Sequence, residues 1–99
     1  MIWGLIGAND GNLQSDFTYV GDIVSDPSDA TRFIVASNNG QHWGAISSRI
    51  HSFTADGHVI WSSPELIGSA DGASLKANEK ADGTLEILLG TSMGMYWIH

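Results

Sequence analysis

Apolar positions in this chain fall into short runs punctuated by glycine turns. Asp-Gly occurs at 10–11, 56–57, 71–72 and 82–83, and Asn-Gly at 39–40. Such dipeptides mark tight turns. The runs between them, 17–24 (FTYVGDIV), 32–37 (RFIVAS), 48–53 (SRIHSF), 58–61 (HVIW), 85–90 (LEILLG) and 95–99 (MYWIH), are rich in β-branched and aromatic residues. They predict strands, and the class is all-β. FIVA and EILLG lack polar alternation, which predicts burial on both sheet faces. Only 73–81 (ASLKANEKA) competes for helix, with good helix formers behind Ser74 as a cap. Its counterpart in the first half of the chain, DFTYVGDIV, reads as strand.

The order of these runs repeats. Ile2, Trp3, Leu5, Ile6, Gly7, Asp10 and Gly11 return as Ile60, Trp61, Leu66, Ile67, Gly68, Asp71 and Gly72. RFIVASNNG (32–40) aligns with EILLGTSMG (86–94), and RIH (49–51) with WIH (97–99), which makes His51 and His99 equivalent. A repeated self-match signals a repeat architecture. The halves divide at 1–51 and 52–99, each with four predicted strands. Four-stranded sheets stacked radially describe a β-propeller, so the expected fold is two propeller blades per chain.

Two segments carry a resemblance. SRIHSFTADGHVIWS (48–62) resembles the end of a blade in propellers of the pyrroloquinoline-quinone-enzyme type, and ADGTLEILLGTSMGMYWIH (81–99) resembles an FG-GAP blade. The resemblance implies the blade architecture. In FG-GAP blades the loop before the aliphatic strand often holds calcium through alternating Asp or Asn side chains. This chain departs from that pattern, because NEKADG (78–83) places Lys80 where an oxygen ligand is expected.

Charge and length narrow the functional classes. Eleven acidic residues against four basic ones give a net charge of −7, which disfavours nucleic acid and anionic membrane surfaces as partners. The lack of cysteine removes disulfides, thiolate metal sites and thiol nucleophiles but leaves the compartment open. The opening MIWGLIGAND has no basic segment before a long apolar run, so no signal peptide is expected, and no run is long enough to span a bilayer. The sequence opens in an Ile-Trp strand and closes in an Ile-His strand, so Met1 to Gly4 is expected to finish the sheet begun by Met95 to His99. Two blades span only an arc of a ring. A homotrimer or homotetramer, giving about six or eight blades, is therefore the expected partner state.

No Gly-x-Ser-x-Gly elbow or phosphate loop occurs, so no catalytic residue is assigned and the chain is not expected to be an enzyme. The stretch 37–48 (SNNGQHWGAISS) is longer than its counterpart, and Asn38, Asn39, Gln41, His42 and Trp43 combine amides with an indole face suited to glycans. Asp10 and Asp71, at matching turns, would share that face of a ring. Asp22, Asp26 and Asp29 form the calcium candidate. The expected function is a self-assembling propeller scaffold or lectin-like binding module. Two alternatives stay open: a fragment of a larger propeller enzyme of the quinone-dehydrogenase or polysaccharide-lyase type, and an engineered ring with no ligand.

Overall fold

The computed structural model describes residues 19–38 and 47–98, and among them there is no helix. Two antiparallel sheets are present. In the first, β1 (Tyr19–Ser25), β2 (Arg32–Asn38), β3 (Ser47–Thr54) and β4 (Val59–Ser62) lie side by side in chain order, and β5 (Leu66–Ile67) pairs with the start of β3. In the second, β6 (Leu75–Glu79), β7 (Leu85–Thr91) and β8 (Gly94–Ile98) follow one another. None of the described elements is a helix that could cross a membrane.

β6 settles the choice between helix and strand. Leu75 is buried and Ala77 half-buried against the core, while Lys76 and Asn78 are exposed between them. That period-two pattern fits a pleated strand paired with β7, and packing outweighs the modest helix propensity of Ala, Lys and Glu.

β4 and β5 are two pieces of one outer strand. Pro64, which has no N–H, sits in the gap between them. Ser63 bridges the break: its N–H donates to the Ile50 carbonyl (2.8 Å), and its Oγ accepts from the Ile50 N–H (2.9 Å) while donating to the Pro64 carbonyl (2.8 Å). From β5 the chain runs through residues 68–74 into β6, the first strand of the other sheet.

The sheets pack face to face, mainly through β1 and β6. Ile34, Ala36 and Ile50 of the first meet Leu75, Ile87 and Leu89 of the second in one core. Each such buried aliphatic side chain contributes about 1.5–3 kcal/mol. Polar struts fix the spacing. The Leu75 N–H donates to Asp22 Oδ2 (2.9 Å), and Asn38 grips Ala70 from both ends, Nδ2 donating to its carbonyl and Oδ1 accepting from its N–H, each at 2.7 Å. Gly21 permits this approach, since a Cβ there would collide with the Ala70 carbonyl.

The contact joins unlike faces. With β2 matched to β7 as the repeat aligns them, Ile34 corresponds to Leu88 and Val35 to Leu89. The first sheet turns its Ile34 side inward, whereas the second turns in Leu89, the counterpart of Val35. The register of β8 differs from the alignment of RIH with WIH. His51 lies opposite Val35, and the residue opposite Leu89 is Tyr96, so Tyr96 and not His99 stands at the place of His51. A two-residue turn joins β7 to β8, while eight residues separate β2 from β3, and connection length sets register. His99 lies outside the described residues.

Candidate functional site

Of the residues read as a ligand-binding loop, Asn39, Gln41, His42 and Trp43 lie outside the described residues, as does Asp10. Asn38 is the last residue of β2, fully buried, with both amide ends held by Ala70. It serves as an inter-sheet strut. Asp71 is exposed in the connector between the sheets, where its carbonyl accepts the Ser74 N–H at 3.1 Å.

The three acidic candidates are not drawn together. Asp22 sits within β1, one carboxylate oxygen on the Ile23 N–H (2.8 Å) and the other on the Leu75 N–H. Asp26 is buried and closes the β1–β2 turn, its Oδ1 accepting both the N–H (2.8 Å) and the Oγ–H (2.6 Å) of Ser28. Asp29 does the same with Thr31, at 2.9 and 2.6 Å, and its Oδ2 lies 3.2 Å from Arg32 Nε. The Thr31 hydroxyl, then its N–H, hold the Asp29 carboxyl below the usual carboxylate range. Among the described residues no group of three His, Asp or Glu side chains is arranged to hold a metal ion.

The tightest polar cluster centres on His51. Its ring is 2% exposed and spans three strands, Nε2 lying 3.0 Å from Ser37 Oγ on β2 and Nδ1 lying 2.8 Å from Ser62 Oγ on β4. Burial, reinforced by the charge of Arg49, pushes the imidazole pKa down to about 4, so the ring is neutral at physiological pH. A serine hydroxyl beside a neutral histidine is the opening arrangement of nucleophilic catalysis. Here Ser37 is fully buried, which keeps substrate away, and the second ring nitrogen faces another hydroxyl in place of a carboxylate. The cluster holds β2, β3 and β4 in register. Sequence spacing gave no hint of the two serines, because they come from strands distant in the chain.

What the described surface does offer is apolar area on the second sheet. Met93 and Met95 are each 72% exposed and Trp97 is 59% exposed, its indole N–H donating to Glu86 Oε2 at 2.8 Å. Trp97 and Leu88 are paired on the face turned away from the core. On the first sheet's outward face, Val35 and Phe53 are buried, packed with Phe33 and Val59, while Val20 and Ile23 of β1 stand exposed. No protein-family model, curated protein or solved structure matches the chain.

Proposed function

We propose that the chain is a self-assembling β-propeller scaffold, in which copies stack head to tail into a closed ring and present repeated loops for multivalent binding. The observation behind this is the pairing of unlike faces. Within one chain, the Ile34 side of one sheet packs against the Leu89 side of the next, and Leu89 is the counterpart of Val35. Each chain keeps apolar residues on both outward faces: Leu88, Met95 and Trp97 at one end, and the exposed Val20 and Ile23 with half-buried Phe33 at the other. A contact between different surfaces of identical molecules is heterologous and closes into a ring when its rotation allows. Three or four copies would bring the count to about six or eight blades, within the range of such rings.

An exposed Met and Trp surface favours association over isolation. Light scattering on the purified chain tests the proposal. A mass of three or four chains is expected, and a mass of one chain at concentrations well above micromolar overturns it.

A further inference from the structure

We propose that Met95 is an oxidation site that controls assembly: peroxide converts its thioether to a sulfoxide in the free chain, and the sulfoxide keeps a second copy off the outward face of the second sheet. The proposal rests on the head-to-tail reading and adds to it a regulated residue. Strand alternation sets the placement. Tyr96 and Ile98 of β8 pack against the core, so Met95 and Trp97, which alternate with them, face away from it. Met95 lies opposite Gly90, which has no side chain to cover it, and is 72% exposed. Leu88, opposite Trp97, extends the same apolar surface.

Met93 is exposed to the same extent but is placed differently. It sits in the two-residue turn between β7 and β8, and the backbone of that turn is tied down. The Ser92 N–H donates to the Ser69 carbonyl at 2.9 Å, and the Met93 N–H donates to Thr91 Oγ1 at 3.2 Å. Two equally open thioethers, one on the sheet face and one at the hairpin end, therefore separate the effect of accessibility from that of position.

The chemistry needs only the sulfur and a peroxide. The sulfur gives up two electrons and takes one peroxide oxygen as sulfoxide, while the O–O bond breaks and the other oxygen leaves as water. The chain has no cysteine to react first. The product replaces a flexible apolar group with a strong hydrogen-bond acceptor. On an open surface that acceptor is hydrated. Beneath a second copy it loses its water, and a buried polar group without a partner should weaken association by about tenfold or more. Thiol-dependent sulfoxide reductases restore the thioether and with it the apolar face.

The test exposes dilute and concentrated samples of the unsubstituted protein to hydrogen peroxide and follows each methionine by peptide mass. In the free chain Met93 and Met95 should oxidise at similar rates, whereas in the assembled protein Met95 should lag Met93 by about tenfold or more. Peptide mapping also reads Met1, which lies outside the described residues, separately. Oxidation should then bring the light-scattering mass down toward one chain, with the strand signal in circular dichroism unchanged. Met95→Leu, which nearly conserves volume, should hold its assembled mass through the same treatment, and Met93→Leu should not be protected. Met95 keeping pace with Met93 in the assembled protein overturns the proposal. So does an undiminished mass once Met95 is fully oxidised, or a fall in mass that comes with loss of the strand signal. Those failures leave the stacked ring standing; a mass of one chain before any oxidation removes the ring and the proposal together.

Discussion

At one corresponding position the two sheets use different chemistry. Opposite Val35 the first sheet has His51, buried and bonded to a serine on each side; opposite Leu89 the second has Tyr96, half-buried, with its hydroxyl carried out to the Ile67 N–H. The first arrangement locks three strands of one sheet. The second reaches across to β5, so it ties the second sheet to the first. A repeat can thus keep its apolar framework while its polar bonds answer to whatever lies on the edge.

The struts between the sheets give the sharpest way to break that comparison. Asn38→Ala strips partners from the buried Ala70 N–H and carbonyl together, and two unsatisfied backbone groups should lower unfolding free energy by about 4 kcal/mol. Ser92, which follows Thr91 as Asn38 follows Ser37, accepts the Ser69 N–H from an exposed position, and Ser92→Ala should lose about 1 kcal/mol or less. Urea denaturation of the pair measures the difference; equal losses would mean that Asn38 is not a strut. Glycine substitution repeats the contrast one step down. Gly21→Ala drives a methyl into the Ala70 carbonyl and should be destabilising by about 3 kcal/mol. Gly90→Ala meets only an ordinary contact with the Ser74 carbonyl at 3.7 Å, so its thermal midpoint should scarcely move.

Strand positions were readable in the chain because turn dipeptides and β-rich runs are local signals. Every predicted run within the described residues contains an observed strand, within a residue or two at the ends. Register was not readable. The WIH match placed His99 beside His51 by letters alone, but pairing is decided by the length of the preceding turn and by which face Leu89 buries. From sequence alone Asn38 reads as a loop ligand for a related reason. An amide at the end of an apolar run looks solvent-facing until the connector at Ala70 is seen lying against it. The Ser37–His51–Ser62 chain draws on three strands and left no spacing to detect.

Titration sharpens the comparison next. With its folded pKa near 4 against 6.5 unfolded, His51 binds fewer protons in the native state than in the unfolded state. Stability should be full above about pH 7, fall as pH drops through the unfolded value, and level off below about pH 4. The loss between about pH 8 and about pH 5 should be about 2 kcal/mol. His51→Gln, whose amide can still face both serines, should flatten that slope, whereas Tyr96→Phe in the second sheet should leave it intact. A slope that persists in His51→Gln would assign the titration elsewhere.

The smallest effect is expected where the sheets agree. The β1–β2 turn has Asp29 accepting the Thr31 N–H and hydroxyl, and the β6–β7 turn has Asp82 accepting the Thr84 N–H (3.0 Å) and hydroxyl (2.6 Å). In both, the threonine hydroxyl and then its N–H hold the carboxyl below the ordinary value of 3.8. A depressed folded pKa means the stabilisation is present above the unfolded value and disappears as pH falls through the folded one, below the range in which His51 acts. Both carboxylates are open to solvent, so water screens and replaces much of each bond. Asp29→Ala and Asp82→Ala should therefore lower the thermal midpoint slightly and by the same amount at neutral pH, with the difference from the parent chain vanishing in acid. A clearly larger loss at Asp29 would show that its Arg32 contact adds stability that the turn of the second sheet lacks, and the two turns would no longer be equivalent.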